Sequence, residues 1–372
     1  MIFPRIATRI QPYFGHRSAR RLVLTARATQ TPKPAYEAGS RWKAMRTMMA
    51  QFASHEVPGV PVELEAKRPD SSTIRARGIT DKEGFVRFDI ALDPAWELPE
   101  RPAWDSVTLA WSNRDGPQTI TAHVLAPGKE SRLGIISDID DTIIETGITG
   151  NPRKIARNWK RVFAQLPHER VEVPGASSFF SHIGGVYPGD LEDGQLPAAE
   201  HPFFYVSSSP WNLFSYLVAF QQLRKLPLGP IQLRDWGFNS STLGSSSHGS
   251  HKLDAMEAII AMHPKMRFAL IGDDTQGDLP AFAQAVADFP GRIAAVFLRN
   301  AAGEPFSAEE EEAKATIEAA GVPLWMGDTY ADGADFLHGL GLHDYDDAAP
   351  LVHLVDESAK AGTSEAESGP AA

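Results

Sequence analysis

The 372-residue chain has no cysteine, so neither disulfide bonds nor thiolate metal sites are open to it. No apolar run approaches the roughly 20 residues that a membrane-spanning helix needs. No apolar core follows the first basic residues, so no secretory signal is read. Positive charge is scarce beyond the first fifty residues. Residues 1–50 hold ten Lys or Arg against one acid, Glu37, a net charge of +9; the whole chain carries −11, so the remainder carries −20. That balance argues against bulk nucleic-acid binding. The basic segment reads as a solvated basic face, as a patch for anionic lipid or as an Arg-rich transit peptide. The lack of cysteine suits a reducing compartment. The expected location is cytoplasmic, with peripheral contact at a membrane surface as a further option.

What is present is an ordinary globular composition, 42% apolar and 22% charged, in a chain long enough for two domains. Residues 1–20 read as an irregular basic N-terminus. RLVLTARA (21–28) reads as a strand, and RWKAMRTMMAQF (41–52) as a short helix or exposed connection. Short alternating runs follow at 61–66, 72–79, 84–92, 106–112 and 118–126, with DKEG (81–84) as a turn. Strands without intervening helices predict a small all-β, sandwich-like domain over 21–128. APGKESR (126–132) is its linker. From 132 to 345, strand-like and helical runs alternate, as in a parallel α/β sheet. Strands are expected at 133–137, 203–209, 267–274, 292–300 and 322–327. Helices are expected at 210–226, 251–262, 307–320 and 334–340. Ser209 is read as the cap of the helix at 210–226, and Ser307 with Glu310 as a capping box. Residues 357–372 read as a disordered tail.

In this reading the polar residues at strand ends coincide. GIISDIDDTIIETG (134–147) places Asp138 and Asp140 after an apolar strand. Ser207 and Ser208 end another, and Asp273 and Asp274 end a third. Lys252 opens a helix just before the last of these. Ligands of open parallel sheets bind at the carboxyl ends of the strands. Clustered carboxylates there call for a hard divalent cation such as Mg²⁺. Taken singly, each residue has a plainer reading: Ser207 as a strand-end cap, Lys252 as a solvated helix-end lysine. His248 and His251 in SSSHGSHK read either as a substrate-contacting loop or as a solvent-facing pair. NPRKIARNWKRVF (151–163) reads either as a basic amphipathic helix that receives a phosphate-bearing headgroup or lies on a membrane, or as a salt-bridged surface helix.

Asp138-Ile139-Asp140-Asp141-Thr142 resembles the DxDxT motif of the haloacid dehalogenase-like phosphohydrolases. Ser207, Lys252 and the GD-x4-D element of Gly272, Asp273 and Asp278 match the family's other motifs in order. More narrowly, VPGASSFF, FFYVSSSPWNLF, LRDWGF, HKLDAMEAII and the stretch at 271–300 resemble the catalytic domain of the actin-patch-associated phosphatidate phosphatases. Asp274 departs from the Ser usual there. The resemblance implies a haloacid dehalogenase-like fold with a Rossmann-type parallel sheet. It implies Asp138 as nucleophile, Asp140 as general acid and base, and Thr142 as a buttress through backbone contacts. Ser207, Ser208 and Lys252 would hold the phosphoryl group. Mg²⁺ would be held by Asp138, the Asp140 carbonyl and Asp273, with Asp278 or Asp274 helping. The implied reaction is hydrolysis of phosphatidate to diacylglycerol through an aspartyl-phosphate, on a phospholipid substrate at a membrane surface. Two other readings stay open: a phosphatase of soluble phosphate esters, and a catalytically silent scaffold on the same fold.

Overall fold

A computed structural model describes residues 6–30, 55–68, 70–140, 142–143, 173–185, 196–234, 246–275, 277–301, 305–330, 333 and 336; for 246–250 only the backbone is described. The expected segments 41–52, 151–163 and 357–372 and the side chain of His248 lie outside these residues, as does nearly all of 334–340.

Eight strands form the first sheet: β1 (Arg9–Pro12), β2 (Gly15–Arg17), β3 (Arg21–Thr29), β4 (Pro61–Lys67), β5 (Thr73–Ile79), β6 (Phe85–Ala91), β7 (Ala103–Asn113) and β8 (Gly116–Ala126). The order is β1-β3-β2-β8-β7-β4-β5, with β6 also paired to β3. Every pairing is antiparallel except β2 with β8. Alternation selects the buried face: Leu22, Leu24, Ala26, Val62, Leu64, Ala66, Val107 and Leu109 are all core residues. The sheet curls on itself. Gly78 on β5 lies against β6 so closely that a Cβ would stand 2.5 Å from Val86 Cγ2.

This sheet corrects two expectations. Residues 9–12 and 15–17 are strands rather than an irregular N-terminus. The segment is also not uniformly a solvated basic face. Arg17 is buried, its Nε 2.5 Å from Asp105 Oδ2 and its guanidinium 4.3 Å above the Trp96 ring.

Six strands form the second sheet: β9 (Leu133–Ser137), β10 (Phe203–Pro210), β11 (Ile231–Arg234), β12 (Arg267–Asp273), β13 (Ile293–Arg299) and β14 (Leu324–Gly327). All are parallel, in the order β11-β10-β9-β12-β13-β14. Counted within the sheet this is 3-2-1-4-5-6, the doubly wound order, and the direction of winding switches between β9 and β12. Both faces are covered, so the strands read as near-continuous apolar runs. Ile135, Phe203, Tyr205, Ile271 and Phe297 meet α1 (Ala176–Gly184) and α2 (Phe214–Leu223) on one face. Ile136, Phe204, Val206, Leu270 and Val296 meet α3 (Ser246–Met262), α4 (Asp278–Asp288) and α5 (Ala308–Ala319) on the other. α5 carries the expected capping box of Ser307 and Glu310. α3 starts five residues before the expected 251.

Candidate active site

The switch between β9 and β12 leaves a crevice at their carboxyl ends, and the acids gather there. Asp138 follows β9, and its N–H donates to the Ile271 carbonyl of β12 at 2.8 Å. Lys252 enters from the second turn of α3. Its Nζ lies 3.0 Å from Asp138 Oδ1 and also pairs with Asp278 Oδ1; all three side chains are at most 2% exposed. Asp278 opens α4 behind Gly277, whose φ of 77° is the left-handed conformation that glycine takes at least cost. Asp278 Oδ2 accepts from the Asp273 N–H at 3.1 Å. This packing explains Gly272: a Cβ there would stand 2.5 Å from Asp278 Oδ2 and 2.8 Å from the Phe282 ring. Asp273 accepts from Thr142 Oγ1 at 2.9 Å, from the Thr275 N–H at 2.6 Å and from the Thr275 hydroxyl.

Burial pushes the Asp138 carboxyl well above the usual range, and the nearby Asp278, Asp273 and Asp140 add to this, against the opposing pull of Lys252. For Lys252, burial opposes the charge, but Asp138, Asp278 and Asp273 outweigh it and hold the ammonium above an ordinary lysine. Tyr330, absent from the expected set, is fully buried, and burial followed by the charge of Asp273 pushes its hydroxyl up.

The other wall carries hydroxyls. Ser207 Oγ donates to Asp140 Oδ2 at 2.6 Å, and Ser209 Oγ lies 3.0 Å from both Asp140 oxygens. The Ser209 N–H donates to Ser207 Oγ at 3.0 Å. Strand alternation puts Ser207 and Ser209 on one side and Ser208 between them on the other.

The structure therefore brings the expected residues into two groups: Asp138, Lys252, Asp273, Asp278 and Thr142 in one, Asp140 and Ser207 in the other. Three details differ from expectation. Ser209 caps no helix: β10 runs through Pro210, a 3-10 turn spans Trp211–Leu213, and α2 starts at Phe214 with no side-chain cap. Thr142 acts through its hydroxyl rather than only through its backbone. The Asp274 carboxylate accepts from the Ala301 N–H at 2.7 Å, turned toward the end of β13. Ser209 was missed because Ser-Pro before an apolar helical run is also a cap signal; only Asp140, distant in sequence, assigns it otherwise.

One oxygen from each of Asp138, Asp273 and Asp278 lies within 4.8 Å of the others. Both Asp138 oxygens are buried; Oδ1 meets the Lys252 ammonium, and Oδ2 accepts no hydrogen bond among the described residues. An orphaned buried oxygen in an all-carboxylate donor set fits a hard divalent cation.

Residues 133–300 match the family model described as phosphatidate phosphatase APP1, catalytic domain. The chain is similar to phosphatidate phosphatase APP1 of Saccharomyces cerevisiae, 29% identical over 252 residues, which cover 67% of this chain and 39% of the yeast protein. It is similar as well to an uncharacterized protein of Schizosaccharomyces pombe, 29% identical over 45% of this chain and 25% of that protein. The chain thus spans well under half the length of these relatives. A solved β-glucuronidase of Parabacteroides merdae aligns with 86% of this chain and 39% of its own at 6% identity and a TM-score of 0.27, too weak a likeness to bear on the fold. Through residues 133–300, the chain is thus similar to the APP1 phosphatidate phosphatase catalytic domain.

Proposed function

We propose that this chain is a Mg²⁺-dependent phosphatase of the haloacid dehalogenase type that hydrolyses a phosphomonoester of the phosphatidate class to the free alcohol, diacylglycerol. In this reading 132–345 form the catalytic domain and 21–128 a distinct β domain. The observation that carries it is the buried group of Asp138, Lys252, Asp278 and Asp273 at the switch point, inside the segment that matches the APP1 catalytic domain.

The Asp138 carboxylate attacks phosphorus and forms an acyl phosphate, so one difficult displacement becomes two easier ones. Asp140 gives its proton to the departing alkoxide, then takes one from the water that cleaves the acyl phosphate. Ser209 keeps its contact with Asp140 while Ser207 turns its hydroxyl toward the phosphoryl oxygens. Lys252 holds those oxygens from the opposite side as charge spreads over them. Burial alone favours a neutral Asp138, whereas attack requires the carboxylate. Mg²⁺ held by Asp138, Asp273 and Asp278 would favour the ionised form and screen it from the phosphate dianion. No helix among the described residues is long and apolar enough to cross a membrane, so a lipid substrate would be met at the surface.

The test is phosphate release from phosphatidate in mixed micelles, lysophosphatidate, sugar phosphates and an aryl phosphate, with Asp138→Asn and metal-free samples alongside. Release from phosphatidate that vanishes in both controls is the expected result. Release from the soluble esters alone would keep the chemistry and overturn the lipid. Silence from folded protein with Mg²⁺ present would overturn the enzyme.

A further inference from the structure

The segment that carries Ser207 and Ser209 has little regular support within its own sheet. The ladder from β10 to β9 ends at Tyr205, opposite Ser137. The ladder to β11 ends at Val206, opposite Gln232, and resumes only at Pro210. Neither the 3-10 turn nor α2, which follow, has a side-chain cap. Yet this segment places two hydroxyls on Asp140, at 2.6 and 3.0 Å.

The support comes from the other sheet. Arg27 on β3 donates from Nη1 to Asn212 Oδ1 at 2.6 Å. The guanidinium is fixed before it arrives: Nε donates to the Glu83 carbonyl at 2.9 Å, and the plane lies 4.5 Å over the Phe85 ring. Tyr13 stands 4.4 Å from the Trp211 ring and 4.9 Å from Phe214. Tyr13 and Phe85 are in fact part of the core beneath the parallel sheet. Asn212 is three residues from Ser209, with a proline between them that limits how far the two can move independently.

We propose that the curled sheet is a working part of the site: through Arg27 on Asn212 and Tyr13 on Trp211 it clamps the serine segment and so sets the position of Asp140. Arg27 and Tyr13 are positioning residues, not catalytic ones, because their contacts described above run to Asn212, Trp211 and Phe214. The kinetic side of this inference rests on the phosphatase reading above; the mechanical side does not.

The test uses the full chain with Arg27→Ala, Asn212→Ala and the double variant. Arg21→Ala, on the same strand as Arg27, removes only an exposed ion pair with Asp89 of β6 and is the control. Hydrogen exchange at amides 207–213 should speed up about ten-fold or more in each single variant and no further in the double. Rates on two esters then separate positioning from general damage. Loss of the acid's placement should slow an alkyl phosphate, whose leaving group needs a proton, by about ten-fold or more, and barely slow a nitrophenyl phosphate, whose leaving group does not. Unchanged exchange at 207–213 in folded variants would overturn the clamp. Equal slowing of both esters would overturn its link to Asp140. Asn212→Ala makes the same cut from the catalytic side, so a curled sheet that tolerates Arg27→Ala poorly does not blur the result. If the wild-type chain cleaves neither ester, the phosphatase reading falls and exchange alone judges the clamp: faster exchange sustains it and unchanged exchange removes it.

Discussion

In the curled sheet Asp105 meets Arg17, Asp89 meets Arg21 and Asp81 meets Arg87. Each of these three carboxylates has its own guanidinium. At the end of the parallel sheet, Asp138, Asp273 and Asp278 converge, and Lys252 serves two of them. The first arrangement is complete as it stands. The second leaves Asp138 buried, with Oδ2 unbonded among the described residues and its carboxyl pushed toward the neutral form. Carboxylates that a fold neutralises with its own arginines are structural. Carboxylates gathered beyond what one lysine can answer are kept for something that binds.

The sharpest way to break this contrast is to remove one acid from each sheet. Asp138→Asn should lower phosphate release about 10³-fold or more, because an amide cannot attack phosphorus. Its melting temperature should not fall, since a buried like charge is relieved while Lys252 keeps Asp278. A lower melting temperature with activity retained would place Asp138 among the structural acids.

Between the two sheets sits a neutral pair. His16 Nδ1 and His263 Nε2 are 3.2 Å apart and both rings are buried. Burial, with Arg21 adding, pushes His16 down to about 4, and burial pushes His263 down as well. The unfolded chain takes up a proton near pH 6.5, but folded His16 does not until about pH 4. Stability is therefore complete above pH 6.5 and falls as the pH drops toward 4, by up to about 3 kcal/mol from His16 alone. Urea midpoints at pH 7 and pH 5 should show this, and His16→Gln should flatten the difference.

Asp105→Asn should cost about 2 kcal/mol of stability, since buried Arg17 loses its carboxylate, and leave the rate per folded molecule within about two-fold. A large change in rate would mean that this acid also serves the site. Smallest is Arg75→Ala. Arg75 sits 3.0 Å from Glu65 but is 64% exposed, so chemical denaturation should report less than about 0.5 kcal/mol.

Five of the six parallel strands and their acids were legible in the sequence because burial on both faces writes continuous apolar runs, and because strands in such a sheet end where ligands bind; the four-residue edge strand β11 was not. β1 and β2 were not. They are four and three residues long, arginine-bearing, and stabilised by pairing with β3 and β8 rather than by any pattern of their own. Ser207 followed from its place after an apolar strand, whereas Ser209 needed the position of Asp140. The His16–His263 contact joins residues 247 apart and leaves no local trace.

The lone parallel pairing of the first sheet has one more consequence. Gly15 and His16 pair with Val124 and Leu125, so β2 has only β3 as a partner until β8 exists. Tyr13 and His16 then dock on rings at 211 and 263. Residues 13–16 are thus among the last of the first sheet to find their places: their backbone waits for β8, and their rings wait for residues 211 and 263.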